Sequence, residues 1–414
     1  MENKYFNSSE SLFDITQKHP EVIDLFVSIG FENMKDPVQR ELVGKSISLE
    51  IALKLKKINL EVFTDRLVEA IEQKKDASNM NIGKSEENTK ADINIQGVLP
   101  CPVRIPLMES FSKWLEETEG VNKNVNYDLK AASVGVDWIK EAIENVESDE
   151  VISDIFISAG FDLFFDKKLM GKFKSKGVFK DLTGFEKLNT DFENEEISLR
   201  DPDGQYSLIG VVPAVFLINT EELNGREIPK TWDDIFKPEF KNSVSLPIGD
   251  FDLFNAIILN IYKKYGEEGI RNLGECLLVN MHPVQMVKSH MKKTSKPAVT
   301  IMPYFFTKMT KQNGPMTAIW PEDGAIISPI FLLSKKAKEK ELKPYINFLA
   351  SKQVGEILAH NGLFPSISPE VDNRIPKENK YMWLGWDFIK NNDIGELIKK
   401  CEKIFHESVG EGKI

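Results

Sequence analysis

Cysteine is scarce in this sequence: Cys101, Cys276 and Cys401 are the only thiols in 414 residues. An odd number at wide spacing excludes a disulfide framework, and no two lie close enough for a Cys-x-x-Cys redox or zinc pair. The five histidines form no His-Glu-x-x-His, and Gly-x-Ser-x-Gly, Walker and Gly-x-Gly-x-x-Gly patterns are missing too. Catalysis therefore has no motif to support it. A basic excess is also missing: 53 Lys and Arg stand against 64 Asp and Glu, a net charge of −11. Nucleic acid is accordingly not expected as a partner. No apolar run approaches the roughly 20 residues of a spanning helix. The first residues show no basic stretch leading into an apolar one, as an export signal would. A cytoplasmic location is the expectation, or a periplasmic or cell-surface one if a leader has been removed.

What is present is an ordinary globular balance, 41% hydrophobic and 28% charged, long enough for two to three domains. Residues 1–73 read as a small helical domain. Ser11 or Asp14 caps a first helix that Gly30 stops, and Ser48 opens a second carrying Leu49, Ile51, Ala52 and Leu55. A last helix runs through Val62, Phe63, Leu67 and Ile71. Residues 74–92 are polar, without an aromatic, and read as a linker. From Ile93 strands alternate with helices: Ile93–Leu99, a helix over Leu107–Thr118, then Ile155–Ser158, Val211–Ile218, Ala298–Met302 and Ile326–Leu333. This alternation predicts an α/β architecture with mainly parallel strands.

Four stretches then come in a telling order. They are Thr231-Trp232-Asp233-Asp234 leading to Lys241 and Pro247, Asp323-Gly324-Ala325, Tyr345 to Gly355 with its Phe348-Leu349-Ala350-Ser351, and Phe364-Pro365-Ser366. Together they resemble type II periplasmic binding proteins, nearest the iron(III)-type solute-binding proteins of ABC transporters, over about residues 93–405. The resemblance implies a two-lobed α/β fold behind a small all-α domain. Lobe 1 would take 93–205 and 330–414, and lobe 2 would take 206–329. A small molecule or metal ion would bind in the cleft by hinge closure, with an ABC permease as partner and no chemistry performed. With a beginning rich in Tyr and Phe, then His19-Pro20-Glu21, Gly30-Phe31 and the helices from Ser48 to Ile71, residues 1–73 resemble the helical domain found beside hybrid-cluster proteins, which implies a protein partner. Their stretch Glu32-Asn33-Met34-Lys35 carries no cysteine, so docking suits them better than thiol redox work.

The candidate ligand contacts follow the strand ends. Cys101, Pro102 and Arg104 sit in a loop after the first strand, with a thiol, a stiff backbone and a cation. Ser158 and Gly160 end the second apolar strand, where small residues let backbone N–H groups face a ligand. Gly249, Asp250 and Asp252 open a helix of the second lobe. A carboxylate there that faces the cleft suits a metal or an amine better than an anion. His282 is a possible imidazole donor. Tyr304 stands where ferric-binding members of the family place two adjacent tyrosines, but Phe305 and Phe306 cannot coordinate iron. Tyr206 is a second candidate for the cleft. The metal, if one binds, and any cofactor are unknown from sequence. Rival readings are a cytosolic sensor, a redox-linked docking protein, and an enzyme on the same fold that uses Cys101.

Overall fold

The computed structural model describes residues 3–56, 58, 60, 63–64, 66–68, 70–71, 91–132, 135–248, 251–281, 283–292, 295–310 and 313–410. Nearly all of the expected linker, 74–92, falls outside them.

The first helical group contains α1 (Leu12–Lys18), α2 (Ile23–Ser28), α3 (Pro37–Gly44) and α4 (Leu49–Leu55). Local chemistry sets their ends. The Ser11 hydroxyl accepts the Asp14 N–H, Asp36 accepts those of Val38 and Gln39, and Ser48 that of Ile51. Leu12, Ile15, Leu25, Phe26, Leu49, Leu53, Phe63 and Leu67 close into a core of their own, separate from that of the rest of the chain.

The larger part is built on one sheet. Its strands are β1 (Ile93–Leu99), β2 (Val125–Ala131), β3 (Ile155–Ala159), β4 (Ser207–Asn219), β5 (Val244–Leu246), β6 (Leu277–Asn280), β7 (Val299–Pro303), β8 (Met316–Ile319), β9 (Ala325–Ser334) and β10 (Tyr381–Met382). They lie in the order β2-β1-β3-β9-β4-β7-β5-β6, with β10 beside β9 and β8 beside β4. β1, β2 and β3 run parallel, as do β5, β6 and β7. The expectation of mainly parallel strands needs correcting in the middle. β9 is antiparallel to β3 and β4, and β4 is antiparallel to β7 and β8. The reason is that β4 and β9 are the strands that pass between lobes. Each is long and buried at every position, and each shares one half with either lobe. Val211–Ala214 faces Ile326–Pro329 at their midpoint.

The motif stretches prove to be braces for this crossing. Trp232 donates its indole N–H to the Gly324 carbonyl at 3.0 Å, and its backbone N–H points at Asp323. The Phe364–Ser366 turn docks on β4, with the Val211 N–H bonded to the Pro365 carbonyl and Gly210 bridging Ser366. Helices cover the sheet: α5 (Cys101–Glu117), α6 (Asp137–Glu144), α7 (Phe161–Phe165), α8 (Phe251–Cys276), α9 (Pro283–Met286), α10 (Glu339–Leu349), α11 (Lys352–Glu356), α12 (Trp386–Asn391) and α13 (Ile394–Ser408). The last of these lies along α8. Phe405 meets Phe254 edge-on at 5.1 Å, and a side chain at Gly274 would clash with Ser408.

Candidate functional site

Parallel strands of an open α/β sheet present their carboxyl ends to one crevice. Here the ends of β1 and β3 from the first lobe, and of β5 and β7 from the second, meet at the level where β4 and β9 cross. One close approach is at Gly160. It follows β3 directly, and its φ of +134° is a conformation that L side chains rarely adopt. A Cβ at this position would lie 3.0 Å from the Asp252 carboxylate, in the first turn of α8. Two residues read from sequence as site candidates, one in each lobe, are thus brought face to face.

A second crossing point lies beyond β7. Tyr304, half-buried, opens a 3-10 turn and stands edge-on to Trp320, ring centres 5.2 Å apart. Next to it Phe305 stacks over Phe364, which belongs to the segment returning to the first lobe, at 6.2 Å. Lys308 then donates its ammonium to the carbonyl of His360 at 2.9 Å, and burial lowers its pKa. Lys308 and His360 carry no motif, and Phe364 reads only as part of a turn. They come to the site because the chain after β9 folds back over the first lobe, and sequence spacing holds no sign of that.

The other candidates divide. Cys101, Pro102 and Arg104 do not form a loop. They are the first turn of α5, which begins at Cys101 rather than near Leu107. A proline early in a helix is tolerated because the first turn leaves its N–H groups unpaired anyway. Nothing is described of the Cys101 side chain, and Arg104 turns its Nε–H to the Leu129 carbonyl on β2 at 2.8 Å. Ser158 is buried and donates its hydroxyl to the Ala159 carbonyl. Tyr206 corrects the sequence reading. It lies in the core of the first lobe, 1% exposed, with its hydroxyl on the Phe164 carbonyl and its ring among Phe164, Phe165, Phe179 and Phe331. Burial first, then the nearby Asp201, pushes its pKa well up. Gly249, Asp250 and His282 fall outside the described residues.

Among the described residues no group of three His, Cys, Asp or Glu is placed to hold a metal. No described helix is long and apolar enough to cross a membrane. Cys276 and Cys401 are buried, and burial pushes both thiols up to about 12. A cavity of about 650 Å³ lies elsewhere, between residues 196–202, Lys263 and the Trp383–Asn392 segment. None of the candidates lines it. Lys263 is eleven residues along α8 from Asp252, about 16 Å by helical rise.

With this geometry in place, comparison with known proteins is decisive. Residues 150–392 match the family described as "Bacterial extracellular solute-binding protein". The chain belongs to that family. Residues 6–63 match a separate domain of unknown function, DUF1858. A spermidine/putrescine-binding periplasmic protein of Haemophilus influenzae is 23% identical over 297 residues, covering 65% of this chain and 81% of that one. The ferric binding protein of Campylobacter jejuni superposes with a TM-score of 0.53 at 18% identity, covering 77% of this chain and 99% of its own. A Trichodesmium FutA protein solved with iron and citrate gives 0.54 at 11% identity, covering 78% and 99%. Such identities speak for the fold alone. This solute-binding protein is thus of the ABC-transporter type, two-lobed, with a small helical domain in front. Its relatives are binding proteins, not enzymes.

Proposed function

We propose that this solute-binding protein captures a small cationic solute, an amine before a metal ion, by closing its two lobes, and presents it to an ABC permease. The observation that carries this is the meeting of Gly160 and Asp252 across the crevice. The chain passes between the lobes through β4 and β9, so closure about these strands moves the two residues together as a hinge would. A carboxylate at the meeting point suits an ammonium group. The polyamine-binding relative supports that choice. A ferric ion is the second reading, supported by the iron-binding structural neighbours, with Asp252, Tyr304, His282 and Cys101 as ligand candidates. Phe305 and Phe306 weigh against it, because they replace any phenolate beside Tyr304.

The remaining contacts belong to the same proposal: Pro102 and Arg104 at the start of α5, Ser158 beneath Gly160, and Gly249 and Asp250 before α8. So does the division into a module over 1–73 and lobes over 93–205 with 330–414 and over 206–329. Membership of an extracellular family favours work outside the cytoplasm over the cytoplasmic expectation drawn from the sequence.

Small-angle scattering of the full chain tests the reading, with putrescine, spermidine and ferric citrate added separately. The expected result is a smaller radius of gyration with an amine, and binding at least tenfold weaker in Asp252→Asn. Compaction by ferric citrate alone would select the metal reading. Dimensions unchanged by every addition would remove hinge capture of these solutes.

A further inference from the structure

Among the described residues eight large apolar side chains stand well exposed, and four of them lie on two consecutive short helices of the N-terminal domain. Val38 and Leu42, 65% and 67% exposed, are spaced i,i+4 on α3. Ile51 and Leu55, 54% and 71% exposed, repeat that spacing on α4. That spacing places each pair on one face of its helix. The inward sides are satisfied separately: Leu49, Ala52 and Leu53 of α4 are in the domain's core, and Val43 of α3 packs against it. The four side chains are therefore surplus to the domain's own packing, and such clustering marks a contact site.

Charge selects the occupant. Residues 35–57 hold six basic residues, Lys35, Arg40, Lys45, Lys54, Lys56 and Lys57, against Asp36, Glu41 and Glu50, a net +3 in a chain of net −11. The basic excess and the exposed apolar pairs occupy the same stretch. Protein interfaces concentrate aromatic residues and arginine and avoid lysine. In this stretch the exposed aliphatic residues are interspersed with lysines, whose long stems can lie along apolar surface while the ammonium reaches outward. That combination fits the boundary of an anionic lipid bilayer, where shallow apolar insertion and attraction to lipid phosphates act together. We infer that the α3–α4 face is a membrane-docking surface for anionic lipid, one that holds an otherwise repelled acidic protein at the bilayer. The inference rests on the transporter-type reading only for its purpose, since such a protein delivers solute at a membrane.

The test is co-sedimentation of the full chain with vesicles of phosphatidylglycerol mixed into phosphatidylcholine, and with phosphatidylcholine alone. Binding is expected only to the anionic vesicles, with the bound fraction falling at least fivefold in 0.5 M salt, because exposed charges are then screened. The double variant Leu42→Ser/Leu55→Ser should lose binding to a similar extent, as should Lys54→Glu. All three positions are exposed, so the variants should keep their circular dichroism. Absence of binding to the anionic vesicles, or equal binding by the double variant, overturns the inference. So does a dimer, seen by light scattering, that the double variant converts to monomer, since a second copy would then own the face. Solute binding measured without vesicles in the same variants is expected to be unchanged, so failure here and failure of solute capture are told apart.

Discussion

Asp234 carries several bonds at one carboxylate. It accepts backbone N–H groups from Lys230 and Thr231, while its own N–H goes to the Thr231 hydroxyl, a reciprocal capping box at the start of the Trp232–Ile235 turn. Burial opposes its charge, yet bonds from Lys237 and those two N–H groups prevail and hold its pKa at about 2. A depressed carboxylate stabilises the fold above its unfolded pKa and loses that contribution as pH falls through the folded one. Asp234→Asn should therefore cost about 1 kcal/mol at pH 7. The difference from the parent protein should shrink between about pH 4 and 2, read from urea midpoints. A gap independent of pH would mean that shape, not charge, is what the side chain supplies. At this scale the sequence is partly legible. The Thr-x-x-Asp spacing announces the cap, and Gly160 announces a backbone without room for a side chain. Tyr206 announces nothing, because a tyrosine just before a buried strand looks the same whether its hydroxyl meets a ligand or, as here, the Phe164 carbonyl.

The strands and helices were more legible than their ends. β1 spans Ile93–Leu99 as the apolar run indicates, and Gly30 ends a helical stretch with φ +83°. α5 starts six residues before the expected Leu107: Pro102 lies in its first turn, where a helix accepts proline, and Pro106 lies inside it. The segment from α11 to Phe364 was legible as a helix and a turn, but not as the wall that Lys308 reaches. That reach has a consequence for closure. The Lys308 ammonium caps a carbonyl at the end of the helical run through His360, where a cation is favoured. The bond joins the post-β7 turn of one lobe to the return segment of the other, so opening must break it. Lys308→Met keeps the apolar stem and removes the donor. Its solute-free form should scatter with a larger radius of gyration than the parent. Solute affinity should fall roughly tenfold, the worth of one hydrogen bond to a charged group at about 1.5 kcal/mol. Equal dimensions and equal affinity would show that the contact forms only after closure is complete and does not favour it.

Across the whole molecule, hydrophobic contact divides into two main bodies. The core of the helical domain, from Phe6 to Ile71, is separate from the one that runs through both lobes. Between them the described residues show the ion pair Lys35–Glu141 at 3.4 Å, with both side chains more than half exposed. Such a pair contributes at most about 1 kcal/mol. Cooperative unfolding needs shared buried surface, and β4 and β9 provide it between the lobes, since each strand is buried along its full length in both. The two lobes should therefore melt together and the helical domain apart from them. Calorimetry of the full chain should resolve a small transition, about 45 kcal/mol for a domain of roughly 65 residues, and one about five times larger. A solute bound in the crevice at a hundred times its dissociation constant stabilises its own unit by about 2.7 kcal/mol. Only the large transition should then move to higher temperature. If anionic vesicles are added instead, the small transition is the one that should respond, because α3 and α4 lie in that unit. A single endotherm shifting as a whole with solute would mean that the helical domain is welded to the lobes, and that closing the crevice and presenting the α3–α4 face are one event rather than two.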